Sequence, residues 1–327
     1  MTNVQRSTFN AQRSTDLVTG GCGFIGSHLV EALVAQGSAV RVLDNLSSGR
    51  RANLDAVRDR VEIVEGDVRD ADAVRRAMRG VRHVYHEAAL VSVPASIERP
   101  AENHAINLTG TVNVLEAARE AGVARLVFAS SASVYGDAPE LPARESATAA
   151  PASPYALAKA AGEAYLRLYA AVYGLETVSL RYFNVYGPRQ DPGSMYSGVI
   201  ARFCEAVRRG EPPTVFGDGR QTRDFVFVAD VVEANLRAAR TPGLGRGEVM
   251  NVGTGTRVSL LDLLETLGAL TGRPLAPAWE APRRGDARDS VADPARMADR
   301  LGYVARTALR DGLAALLRNA AASSGQA

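Results

Sequence analysis

The sequence predicts an α/β fold: a Rossmann-type doubly wound parallel sheet followed by a smaller, irregular α/β C-terminal lobe. Three observations lead there. Leu17-Val18-Thr19 reads as a strand and runs straight into Gly20-Gly21-Cys22-Gly23-Phe24-Ile25-Gly26. Short apolar strands then alternate with helical periodicity as far as Arg181. Beyond Asn184 the texture changes to Tyr186-Gly-Pro188, Asp191-Pro-Gly193 and Glu211-Pro-Pro213, which is loop punctuation.

In chain order, helical spacing through Ile25, Leu29, Leu33 and Val34 predicts a helix over Phe24 to Gln36. Strands follow at Ala39 to Leu43 and Val61 to Glu65, each leading to an acid, Asp44 and Asp67. A helix near Asp72 to Met78, a strand at His83 to His86, a helix from Ile106 to Ala121 and a strand at Arg125 to Ala129 continue the alternation. The next helix begins at Pro154, with Ser153 as N-cap, runs to about Tyr173 and precedes a strand at Glu176 to Arg181. In the second lobe, helices are expected near Val199 to Arg208, Val231 to Ala239, Leu260 to Leu270 and Leu309 to Leu317. Short strands are expected at Thr214 to Phe216, Phe225 to Val228 and Val249 to Val252. The expected organisation is a tail at 1–14, a dinucleotide-binding domain at 15–185 and a substrate lobe at 186–327, with the 225–250 segment able to pack back on the sheet.

A net charge of +2 gives no bulk case for nucleic acid or an acidic membrane. The two cysteines and four histidines lack metal-site spacing, and no apolar run is long enough to span a bilayer. The reading is a cytoplasmic protein with no metal, its polar first residues forming an untethered tail.

Gly20, Gly23 and Gly26, after a strand and opening a helix, let backbone amides approach a pyrophosphate. Asp44, 18 residues after Gly26, can accept from ribose hydroxyls and repel a 2′-phosphate, which favours NAD over NADP. Arg50 and Arg51 could instead hold that phosphate, but read as a solvated loop.

Among 38 lysines and arginines there is one lysine, Lys159, four residues after Tyr155 and therefore on the same helix face. Its ammonium is expected to depress the Tyr155 phenol pKa, with the nicotinium ring adding to the effect, so that the tyrosine can serve as a general base.

Thr19-Gly-Gly-Cys-Gly-Phe-Ile-Gly26, Tyr155-x-x-x-Lys159 and Ser130-Ser-Ala-Ser-Val-Tyr-Gly136 resemble the extended short-chain dehydrogenase/reductase superfamily. Arg181-Tyr-Phe-Asn-Val-Tyr-Gly-Pro188, Gly217-Asp-Gly-Arg-Gln-Thr-Arg-Asp224 and Arg283-Arg-Gly-Asp286 resemble its nucleotide-sugar 4-epimerases. The resemblance implies a pyrophosphate loop of Gly20, Gly23, Phe24, Ile25 and Gly26. It puts Asp44 and Asn45 on the adenosine ribose, Asp67 and Val68 at the adenine, and Ala88 and Ala89 along the cleft. It makes Tyr155 the acid/base, Lys159 the nicotinamide-ribose ligand and Ser131 the hydroxyl on the reacting O4, with Tyr182 near the nicotinamide. Asn184, Arg223 and Arg283 become diphosphate ligands, Phe216 a base-stacking residue and Asp286 a ribose ligand; Val199 and Ser290 complete the substrate contacts.

The dehydratases of this superfamily carry an Asp-Glu pair after the position of Ser131, and its decarboxylases usually a Glu at the second position; here Ala132 and Ser133 stand there. Epimerization of a UDP-hexose at C4 is the leading expectation, and the small Ser290 leaves room for a 2-acetamido group. A UDP-uronic acid 4-epimerase, a dehydratase or decarboxylase and a non-catalytic NAD-binding regulator remain as alternatives. The resemblance also implies a homodimer, through the helix after Asn107 and the helix carrying Tyr155.

Overall fold

The computed structural model describes residues 15–136, 140–191, 198–282 and 288–324. β1 (Thr15–Thr19), β2 (Ala39–Asp44), β3 (Val61–Glu65), β4 (Val81–His86), β5 (Arg125–Ser131) and β6 (Glu176–Tyr182) form the main sheet in the order 3-2-1-4-5-6. Every pairing is parallel, and apart from β3 the strands are largely buried, as a sheet covered on both faces requires.

The covering helices follow from the crossovers. α1 (Phe24–Ala35) lies on one face; α2 (Ala71–Ala77), α5 (Gly110–Glu120) and α6 (Pro154–Tyr173) lie on the other, where Val74, Val114, Leu115, Leu166 and Tyr169 share a core with Leu126 and Phe128 of β5. Two short helices absent from the sequence expectation, α3 (Val93–Glu98) and α4 (Pro100–His104), precede α5. A signal for α3 was present: the Ser92 hydroxyl accepts the Ala95 amide, with Pro94 in the first turn. The helix expected from Ile106 instead begins as a π-helical segment at Ala105–Thr109. Asn107, buried there, bonds both backbone groups of Leu90 and the Asn103 side chain.

After β6 the chain forms β7 (Asn184–Tyr186), α7 (Val199–Arg209), β8 (Thr214–Phe216), β9 (Thr222–Arg223) and β10 (Phe225–Phe227). It then returns to the sheet: α8 (Val228–Arg240) joins α1 on its face, and β11 (Arg246–Val252) pairs parallel with β6 as a seventh strand. β12 (Val258–Ser259), α9 (Leu260–Thr271), β13 (Ala278–Glu280), β14 (Asp289–Ser290), α10 (Ala295–Leu301) and α11 (Leu309–Ser324) complete the molecule. The second core gathers Tyr186, Phe203, Val215, Phe225, Leu263, Leu267 and Leu313, whereas Met297 and Leu301 of α10 pack with the sheet core. Among the described residues, no helix is long and apolar enough to cross a membrane.

Candidate active site

The strand order reverses between β1 and β4, so a crevice opens at their carboxyl ends. Gly20 sits there with φ +69°, and a Cβ on it would lie 2.8 Å from the Ala88 amide nitrogen across the crevice. A Cβ on Gly26 would come within 2.3 Å of the Gly20 carbonyl oxygen. Glycine is therefore imposed at both positions. The N-cap of α1, Gly23, provides no side-chain cap, so the loop presents bare backbone at the positive end of a 12-residue helix. Phe24 and Ile25 open that helix. Ala88 and Ala89 follow β4 on the opposite side, both partly exposed.

Asp44, buried at the end of β2, accepts the Cys22 amide (2.9 Å) and the Leu46 amide (2.8 Å). It thus braces the glycine loop from the position foreseen for the ribose ligand. Asn45 donates to Asp67 (2.7 Å), and bonding from Arg69 pulls the Asp67 carboxyl down to about 2. The Val68 side chain is buried against α5, and its carbonyl accepts from Asn113. Arg50 pairs with Asp191 and Arg51 with Glu65, both in the open. The bare loop, the facing alanines and the acid at Asp44 fit a dinucleotide with a free ribose 2′-hydroxyl.

Beyond this crevice lie Ser131 at the end of β5 and the first turns of α6. Ser153 caps α6 through the Ala156 amide (3.2 Å), which sets the register of Tyr155 and Lys159 on the inward face. Lys159 is 2% exposed, donates to the Ala129 carbonyl (2.6 Å) and lies over the rings of Phe128 (4.7 Å to the centroid) and Tyr155 (5.9 Å). Burial draws its ammonium down to about 8, against the opposing pull of Glu87 and Glu163. The Tyr155 phenol is not depressed as the sequence suggested. Burial pushes it up to about 12, with hydrogen bonding from Ser131 pulling back and the Glu87 charge adding to the rise. Desolvation of the phenolate is the largest of these effects.

Several polar groups escaped the sequence reading. Glu87, just past β4, accepts the Tyr182 hydroxyl (2.8 Å), and Tyr182 accepts Asn235 of α8 (2.7 Å). Burial raises the Glu87 carboxyl to about 7. His86 is buried between Thr19 (2.7 Å) and Thr111 (3.0 Å), and burial drops its imidazole to about 3. Asp224, fully buried, accepts the amides of Thr254, Gly255 and Ala292 and the Thr254 hydroxyl. In the sequence, His86 and Glu87 are a His-Glu pair at the carboxyl end of an expected strand, and Asp224 closes the Gly217–Asp224 motif.

On the substrate side, the Asn184 amide donates to the Asp224 carbonyl (3.0 Å), which sets Asn184 beside the neighbour of Arg223. Arg223 of β9 stands opposite Ser290 of β14 in parallel register. Its guanidinium donates to the Thr222 carbonyl (2.8 Å). Phe216 of β8 is partly exposed, with its carbonyl held by Gln221 (2.7 Å), and Val199 opens α7 against the lobe core. Arg283 and Asp286 lie outside the described residues.

Residues 17–253 match the NAD dependent epimerase/dehydratase family. The chain belongs to that family. NAD is its cofactor. The chain is 44% identical over 302 residues to a UDP-glucose 4-epimerase of Mycolicibacterium smegmatis, covering 91% of this chain and 96% of the relative. Among solved structures it resembles Thermus thermophilus UDP-glucose 4-epimerase in complex with NAD, at 42% identity and a TM-score of 0.84, covering 93% and 98% of the two chains. It also resembles a UDP-N-acetylglucosamine 4-epimerase from Methanobrevibacter ruminantium in complex with UDP-N-acetylmuramic acid, at 34% identity and a TM-score of 0.91, covering 96% and 100%.

Proposed function

We propose that this chain is an NAD-dependent 4-epimerase of UDP-sugars that acts on UDP-Glc/UDP-Gal and also on UDP-GlcNAc/UDP-GalNAc. The observation that carries the reading is the convergence of Ser131 at the end of β5 with Tyr155 and Lys159 in the first turns of α6, beside a glycine loop open to a dinucleotide. When bound, NAD supplies the hydride acceptor and a positive ring charge that brings the Tyr155 phenol into range. Tyr155 takes the O4 proton, directly or through the Ser131 hydroxyl, and gives it back once the sugar has turned in the pocket. Lys159 holds positive charge against the phenolate throughout. Ala132 and Ser133 supply no acid to expel a second hydroxyl, which favours epimerization over elimination.

Substrate breadth is read from Ser290, whose small side chain sits across from Arg223. With Arg223, Arg283 and Asn184 on the diphosphate, Phe216 on the base and Asp286 on its ribose, the sugar would face this end of β14. Incubating the protein separately with UDP-Glc, UDP-GlcNAc and UDP-GlcA and resolving products by proton NMR tests reaction and substrate together. C4 epimers of the first two are expected; a 4-keto-6-deoxy product would overturn the reading.

The same proposal includes a homodimer. Leu157, Leu168, Val172 and Tyr173 of α6 and Val93 and Ile97 of α3 are exposed apolar side chains on neighbouring helices, which supports a contact with a second copy. Light scattering at micromolar concentration should give twice the mass of 34.6 kDa.

A further inference from the structure

Glu87 is a largely buried carboxylate that no cation meets directly. Its amide donates to the Thr19 carbonyl of β1 (3.2 Å), its Oε1 accepts the Tyr182 hydroxyl of β6, and among the described residues it forms no ion pair. A part-buried carboxylate without a paired cation is costly to hold unless its charge is used. The contrast with Glu163, one turn past Lys159, is instructive. Glu163 accepts Ser130 (2.5 Å) and both arms of Arg181 (2.9 and 2.7 Å), so its charge is largely spent.

Lys159 presents the complementary problem. Among the described residues its ammonium has one hydrogen-bond partner, the Ala129 carbonyl, and it lies over the rings of Phe128 and Tyr155. His86 stands nearby but is neutral. Glu87 follows His86, which pairs with Phe128 across β4 and β5, so it stands at the strand end beside Ala129, whose carbonyl takes the Lys159 ammonium; of the two acids acting on Lys159 it weighs more, and Glu163 is already paired with Arg181. The acid reaches this place because Asn235, on α8 at the opposite face of the sheet, orients the Tyr182 hydroxyl toward it.

We propose that Glu87 is a positioning residue whose carboxylate, held by the Tyr182–Asn235 chain, is the counter-charge that keeps the Lys159 ammonium protonated in the working enzyme. The sign is fixed by electrostatics: an anion near an amine raises its pKa, so removing the anion lowers it. Glu87 titrates near 7 and Lys159 near 8, so both are charged in the window between. Below it Glu87 neutralises while Lys159 stays protonated; above it Lys159 gives up its proton.

The test uses the fact that the chain contains a single lysine. Full-length protein grown on lysine carrying 13C at Cε, with NAD added, gives one lysine side-chain resonance, and its pH titration reads Lys159 alone. Glu87→Gln is isosteric and still accepts the Tyr182 hydroxyl, so it removes charge without removing the bond. It should lower the Lys159 midpoint by about one unit and move the alkaline limb of kcat/KM by the same amount. Glu87→Asp, which retains the charge, should restore most of the shift, and Tyr182→Phe, which releases the tether, should give a smaller one. A Lys159 midpoint unchanged in Glu87→Gln would overturn the proposal. It rests on the reading of Tyr155 and Lys159 as the acid–base pair, and the two fail separately. A lysine that shifts while turnover and its pH profile do not move rejects the catalytic reading and leaves the counter-charge standing.

Discussion

Glu163 and Arg181 form a buried, bidentate ion pair directly behind the inward face of α6, 3% and 4% exposed, with Nη2 to Oε2 at 2.7 Å and Nε to Oε1 at 2.9 Å. The Arg181 guanidinium also covers the Tyr135 ring at 4.6 Å, and Tyr135 bonds Asn251 of β11 (2.6 Å). One carboxylate thus joins α6 to β5 and β6, and Tyr135 extends the link to β11. Glu163→Ala would strand a buried guanidinium and should cost about 3–5 kcal/mol, read from the urea midpoint; a loss under about 1 kcal/mol would mean that the pair is solvated.

Lys159→Arg conserves charge and should still fail. The site that holds the ammonium is closed by the Ala129 carbonyl and two aromatic rings, and a planar fork does not fit a point-charge site. A kcat drop on the order of 10²-fold or more is expected, with a similar or larger drop for Tyr155→Phe, in the range typical of a lost general base. Wild-type turnover by Lys159→Arg would refute the assignment.

Ser290→Tyr should separate the substrates. The tyrosine would fill the space across from Arg223, so turnover of UDP-GlcNAc should collapse while that of UDP-Glc persists. Equal turnover of both pairs by the variant would sink the proposed breadth.

Stability between pH 7 and 4.5 should show two opposing slopes. His86 falls to about 3 in the fold, from 6.5, so the unfolded chain takes up the proton first and stability is lost as pH drops below 6.5. Glu87 rises from 4.5 to about 7, so the folded state takes up its proton first and stability is gained as pH drops through 7. Glu87→Gln removes the second slope. Its urea midpoint should therefore fall more steeply than that of the wild type between pH 6.5 and 4.5, and parallel curves would contradict the Glu87 assignment.

What the sequence revealed, it revealed through local rules. The strand–glycine–helix unit at 15–35, the Ser153 cap and the long α6 are each specified by residues within a few positions of one another, and the structure places their boundaries within about two residues. The strands β7, β9, β12 and β14, two or three residues long, exist through partners tens of residues away, and no local period announces them. The site divides in the same way. Ser131, Tyr155 and Lys159 lie in recognisable motifs, whereas the weight of Glu87 appears once Tyr182, 95 residues on, arrives across the sheet. The Tyr155 phenol follows the same division: spacing shows the charge next door, and burial, which dominates, is a property of the whole fold.

The chain enters the second core at Tyr186, goes back to the sheet for α8 and β11, returns for α9, visits the sheet core again with α10 and ends in α11. The substrate-facing half is thus woven from three separate lengths of chain. It cannot be exchanged as a continuous cassette: a chimera that borrows the specificity of a relative must splice every length at once or confine itself to single positions such as Ser290.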